Sequence, residues 1–250
     1  MGRVFAWLVH AMTASGAVFA FLALLAIEQR DWRLALLWLA AALLVDAFDG
    51  TLARWAHVKT RAPRIDGDSL DLIIDYLNYV FVPTVLIWRA ELVPAMLAPW
   101  LAAAILISAL YNFTRRDMKT EDNYFRGFPA LWNVVAFYLF VARPGLDAGA
   151  VLVVALAALT FTSVPFVHPF RVRDYGRWLP VLALAWAAAT LALLWPDWSA
   201  GTRTALSWAS AALGLLLIAL GLLRGVRGPA RISADAEGAK GFTTPAPNPK

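Results

Sequence analysis

Long apolar runs separated by short polar ones recur along the chain, and each run approaches the roughly 20 residues a helix needs to cross a bilayer. The pattern predicts eight membrane-spanning helices, near residues 4–27, 34–52, 69–88, 92–113, 128–142, 148–167, 178–194 and 204–223. The fifth is the shortest. An even count puts both ends of the chain on one side. The opening run exceeds the core of a secretory signal, roughly 7 to 15 residues, so it is taken as a retained first helix. Connections such as Arg143-Pro144-Gly145 and Pro196-Asp197 are turn-like. From residue 228 onward Gly, Pro, Ala, Ser and Thr prevail. Such a stretch buries too little apolar surface to order itself. The expected division is a transmembrane domain over 1–227 and a disordered cytoplasmic tail over 228–250, in an all-α polytopic membrane protein.

Charge sharpens this picture. Of the 22 Lys and Arg residues, alternate connections and the termini on one side collect 17, leaving Arg30, Arg33, Arg89, Arg143 and Arg203 on the other. Cytoplasmic segments carry such an excess, so both termini are expected in the cytoplasm. The net charge of +5 is accounted for by this orientation signal, and nucleic acid is not expected as a partner. Cysteine is absent. Disulfides, thiolate metal sites and cysteine nucleophiles are therefore excluded, and any metal must be held by oxygen or histidine.

The candidate chemistry lies in one stretch, DAFDGTLARWAHVKTRAPRIDGDSLDLIID, residues 46–75. Asp46 and Asp49 share a stripe of the second helix with Gly50 and Ala53, and Asp71 and Asp75 share a stripe of the third, because residues three and four apart are helix neighbours. If the two helices pack side by side, four carboxylates meet near the membrane surface. Their repulsion and desolvation require compensation, and two divalent cations balance four such charges. All-oxygen ligation suits Mg2+ or Mn2+, and a two-metal site draws in and polarises a pyrophosphate. Small Gly50 and Ala53 allow close approach of a bulky ligand, and Arg54 is positioned to clamp a phosphate.

This stretch resembles the signature of the CDP-alcohol phosphotransferase family, Asp-x2-Asp-Gly-x2-Ala-Arg, a spacer, then Gly-x3-Asp-x3-Asp. Here it reads Asp46, Asp49, Gly50, Ala53, Arg54, then Gly67, Asp71 and Asp75. The twelve-residue spacer between Arg54 and Gly67 is longer than the family's usual one. It resembles bacterial members that join CDP-diacylglycerol to choline, making phosphatidylcholine and releasing CMP. Residues 10–16 (HAMTASG), 75–83 (DYLNYVFVP) and 127–133 (GFPALWN) extend the likeness. The resemblance implies a six-helix catalytic core opening to the cytoplasm and lipid of a bacterial inner membrane. It further implies that Asp46, Asp49, Asp71 and Asp75 ligate two divalent ions, that Asp75 is the general base, and that Asp46, Gly50, Ala53, Arg54 and Gly67 contact CDP-diacylglycerol. Related enzymes are often homodimers.

A quaternary ammonium donates no hydrogen bond and is best held over aromatic faces. Tyr76, Tyr79, Tyr111 and Trp132 are the candidates. Serine, the acceptor of a phosphatidylserine synthase, would instead need a cation for its carboxylate, such as Arg115 or Arg126. An ion transporter is the alternative from another class, but the acids gather at one membrane face and no inverted repeat is evident.

Overall fold

The structure, a computed structural model, describes residues 2–227. The tail expected over 228–250 lies outside the described residues. Helix α1 (Gly2–Glu28) turns at Gln29–Arg30 into α2 (Trp32–Trp55), whose first turn is capped by the Asp31 carboxylate accepting from the Leu34 N–H at 3.0 Å. A short helix, α3 (Val58–Arg61), leads to α4 (Gly67–Asp75). There the Asp66 side chain caps the backbone N–H groups of Asp68 and Ser69. The chain continues without a break through a π-helical stretch, Tyr76–Phe81, into α5 (Val82–Arg89). Pro83 has no N–H to return to the preceding turn, and the wider π turn before it takes up the irregularity.

Then follow α6 (Ala98–Thr114), α7 (Trp132–Ala142), α8 (Leu146–Leu159), α9 (Trp178–Ala192) and α10 (Ala200–Arg227). Four continuous helical stretches, Gly2–Glu28, Trp32–Trp55, Gly67–Arg89 and Ala200–Arg227, are long and apolar enough to cross a membrane. The other four apolar helices are shorter. The eight predicted hydrophobic segments are thus all helical, with some ends displaced. Residues 92–97, expected in the fourth span, form turns around Pro94 after Glu91, which has a positive φ of 53°. Residues 160–167, expected in the sixth, leave the helix at Thr160 and approach Pro165 as a strand. Residues 128–131, expected in the fifth, run outside the helix beside Pro129 and are largely buried. Irregular backbone at such a position is tolerated where protein surrounds it.

The core gathers where α1 meets α2 and α4, and where α5, α6 and α7 meet. Alanines line the buried faces of α1 (Ala6, Ala20, Ala23, Ala26) and α2 (Ala35, Ala42), letting the helix backbones approach closely. Gly16 marks the tightest approach: a Cβ there would lie 2.4 Å from Ile74 Cγ2. Its carbonyl also accepts from Asn78 Nδ2 at 3.0 Å. These contacts fix the α4 end against α1, and therefore fix the depth of Asp71 and Asp75.

On the same end of the bundle, two long connections interlock. Strands β1 (Phe125–Arg126) and β2 (Pro165–Phe166) pair antiparallel, with Phe125 opposite Phe166. The start of this ladder depends on Gly127, whose φ is +75° and whose N–H donates to the Val164 carbonyl at 2.8 Å. The end of α10 clasps the first connection, since Arg224 donates two hydrogen bonds to Asp122 at 2.9 and 3.0 Å. It also grips the second, because the Tyr175 hydroxyl donates to the Leu220 carbonyl at 3.1 Å.

Candidate active site

Of the six aspartates in residues 46–75, the fold separates two from the rest. Asp66 is spent as the cap of α4, and Asp68 pairs on the surface with Lys59 at 2.7 Å. Both partners of that pair are mostly exposed, so it contributes little to stability. Asp46, Asp49 and Asp71 converge: one carboxylate oxygen of each lies within 4.8 Å of the others. Asp75, one turn below Asp71, lies within hydrogen-bonding reach of the Asp46 carboxyl. Two carboxyls in such contact need a shared proton or a cation between them.

The acids are held from behind. Thr13 on α1 donates to Asp49 at 2.8 Å, and both residues are buried. Tyr79, 7% exposed, donates its phenolic proton to Asp46. It lies four residues beyond Asp75, on the acid-bearing side of the π stretch. Each bond fixes the orientation of one carboxylate of the cluster. The donor set is all oxygen, with no histidine in the group. Such a set fits hard divalent cations, and three convergent carboxylates could hold a metal ion.

Beside the acids, the surface is open at Gly50. A Cβ on Gly50 would meet only the Arg54 guanidinium, at 3.6 Å. Arg54 is exposed, donates to Thr51 Oγ1 and forms no ion pair among the described residues. Ala53 is half-buried beside it. Gly67 faces elsewhere: its Cβ position is 3.1 Å from His10 Cε1 on α1, so it serves the packing of α4 on α1.

Facing the cluster from the interlocked connections are two cations. Lys119 and Arg171 both act on Asp46, and Lys119 also acts on Asp71 and Asp75. Lys119 lies 5.0 Å over the Phe125 ring, and Phe125 stacks on His168 at 5.2 Å. Burial, with Arg171 adding to it, holds the Lys119 amine below its ordinary range, while the acids pull it back up. His168 is pushed down to about 4 by burial and by Lys119 and Arg171, and so is neutral at pH 7. These loop cations were not among the residues singled out by sequence.

The four aromatic candidates have different surroundings. Tyr76 donates to the Leu106 carbonyl and packs edge-on against Phe113. Tyr79 is engaged with Asp46. Trp132 has 0% exposure and packs against Phe128. Tyr111 is 41% exposed, but the Arg115 guanidinium lies 5.2 Å over its ring. Arg115 is itself taken by Asp117, through two hydrogen bonds of 2.8 and 2.9 Å.

An all-α bundle of apolar helices, with an acidic oxygen-donor cluster at the end of two of them that could hold a metal ion, defines a polytopic membrane protein. The chain belongs to the CDP-alcohol phosphatidyltransferase family, whose model matches residues 7–165. It is 51% identical to a phosphatidylcholine synthase of Pseudomonas aeruginosa over 172 residues, 68% of this chain and 71% of that one. To the phosphatidylcholine synthase of Bradyrhizobium diazoefficiens it is 41% identical over 212 residues, 84% of this chain and 79% of that one. It is likewise 41% identical to that of Legionella pneumophila over 171 residues, 68% and 67% of the two chains.

Proposed function

We propose that the chain transfers the phosphatidyl group of CDP-diacylglycerol to choline, forming phosphatidylcholine and releasing CMP, at the cytoplasmic face of a bacterial inner membrane. The observation that carries this is the convergence of Asp46, Asp49 and Asp71, with Asp75 against Asp46, on the stretch that bears the family signature. The identities to several phosphatidylcholine synthases favour choline as the acceptor. The pairing of Arg115 with Asp117 also leaves that arginine less available to a serine carboxylate.

Two divalent cations, Mg2+ or Mn2+, held by Asp46, Asp49, Asp71 and Asp75, would neutralise charge on the diphosphate and make its phosphorus more electrophilic. Arg54, beside the open surface at Gly50, clamps the diphosphate. Lys119 and Arg171 meet phosphate oxygens from the opposite side. The choline hydroxyl oxygen bonds to the phosphorus that carries diacylglycerol, the bond from that phosphorus to the CMP oxygen breaks, and the hydroxyl proton passes to the Asp75 carboxylate. Attack must await the nucleotide lipid, because the phosphorus is its own.

The test measures CMP release from CDP-diacylglycerol in membranes, with choline or serine as acceptor and with each divalent metal. Turnover with choline is expected, falling to background after chelation and returning with Mg2+ or Mn2+. Incorporation of serine alone would overturn the acceptor, and full activity in excess chelator would overturn the metal site.

Thr13→Val offers a finer check. It removes the donor to Asp49 while keeping the side chain's shape. Loss of a group that orients a metal ligand costs roughly 10- to 100-fold in affinity. The half-saturating metal concentration is expected to rise by about tenfold or more with the helix content unchanged. An unaltered metal dependence would assign Thr13 to packing alone.

A further inference from the structure

At the opposite end of the bundle lies a cavity of about 280 Å³ lined by Arg33, Arg143, Arg203, Phe140, Leu194 and Ser207, with Val141 and Leu193 completing its wall. Arg33 starts α2, Arg143 follows α7, and Arg203 lies in the first turn of α10, so three separate elements bring a guanidinium to one place. Arg33 and Asp46 are thirteen residues apart on one helix. At 1.5 Å per residue that is about 20 Å, well removed from the acid cluster.

Three like charges around one cavity repel unless an anion joins them. None of the three forms an ion pair among the described residues. Arg203 is oriented by the end of α9, donating to the carbonyls of Leu193, Trp195 and Pro196 at 3.1 to 3.4 Å. Arg143 has a positive φ of 42°, a conformation that costs a non-glycine residue energy, and its guanidinium lies 5.5 Å over the Phe140 ring. The remaining wall is apolar except for Ser207. Cationic and apolar walls together match an amphiphile whose anionic group enters among the arginines while its chains lie along the leucines.

We propose that this cavity binds the phosphate of an anionic membrane phospholipid, at a site separate from the acid cluster. A phosphate diester accepts from guanidinium forks, which Arg33 and Arg143 can offer from two elements, while Arg203, its terminal nitrogens held by carbonyls, adds positive charge to the wall. The adjoining apolar wall favours a lipid headgroup over free phosphate as the source.

The test uses the purified full chain in an uncharged detergent. Its thermal midpoint is titrated with dioctanoyl phosphatidylglycerol, dioctanoylglycerol or inorganic phosphate. The wild type is compared with Arg33→Gln/Arg143→Gln, which leaves the Arg203 contacts with α9 in place, and with Arg33→Lys/Arg143→Lys. Phosphatidylglycerol is expected to raise the wild-type midpoint saturably, and the Gln pair to raise the half-saturating concentration by about tenfold or more. The Lys pair, which keeps the charge, is expected to fall between them and serves as the control should the Gln pair not fold. Equal titrations of the wild type and the charge-removing pair would overturn the site, or, if that pair does not fold, equal titrations of the wild type and the Lys pair. An equal response to dioctanoylglycerol would overturn the phosphate, and a response to inorganic phosphate alone would overturn the lipid. Metal-dependent CMP release at saturating substrate should be unchanged in both pairs, which separates this site from the proposed catalytic one.

Discussion

Asp75→Asn is expected to remove turnover while leaving the bundle intact. Asn has the shape of Asp but cannot accept the choline proton, and a positioned general base contributes about 100- to 10,000-fold. The same substitution replaces a contact between two carboxyls, Asp75 and Asp46, by one in which an amide N–H meets a carboxylate. The thermal midpoint should therefore hold or rise as activity disappears, a pairing that simple unfolding cannot produce. Measuring both on the same preparation checks it. A near-normal rate would remove Asp75 from the role of base, and recovery at high metal concentration would recast it as a ligand only.

Gly127→Ala should have the largest structural effect. Its φ of +75° disfavours any residue with a Cβ, and the added atom would lie 2.5 Å from the Thr160 carbonyl oxygen and 2.8 Å from that of Leu159. Both neighbours are backbone, so neither yields by a rotamer change. A loss of about 3 to 5 kcal/mol is expected, combining the left-handed conformation with the clash. Gly145 supplies the comparison, having φ +101° but nothing within 4 Å of its Cβ position. Gly145→Ala should lower the thermal midpoint in detergent much less than Gly127→Ala. Equal losses would show that conformation, and not the close approach of the two connections, sets the cost.

The helical framework is legible because run length is a strong signal in a lipid solvent: of the eight apolar segments expected to span, four contain helical stretches long enough to cross a membrane and four contain shorter apolar helices. The acid pairs were legible through their three- and four-residue spacing, which puts Asp46 with Asp49 and Asp71 with Asp75 whatever the rest of the fold does. Helix ends were less so. Residues 92–97 and 160–167 are apolar enough to continue a span, yet proline and the pairing of β1 with β2 end the helices there. Hydropathy registers neither effect.

The supports of the site were harder to see for a different reason. Thr13 is one of two hydroxyls within an apolar run, and such hydroxyls commonly bond only to their own helix, as Ser15 does to the Met12 carbonyl. Its partner is 36 residues away. Lys119 and Arg171 read as ordinary basic residues of cytoplasmic connections, since nothing local distinguishes a cation that faces an acid cluster from one that faces lipid. Tyr79 was legible as an aromatic residue near the acids, but its hydroxyl, not its ring face, meets Asp46.

The clasp between Arg224 and Asp122 ties the end of α10 to electrostatics in the middle of the chain. Because α10 grips both connections, the posture of Lys119 and Arg171 depends on a helix that carries none of the proposed catalytic groups. The final helices thus behave as a buttress: whatever loosens their footing, in sequence or in surrounding lipid, would let the positive wall drift from the carboxylates and blunt the chemistry without altering a single acid.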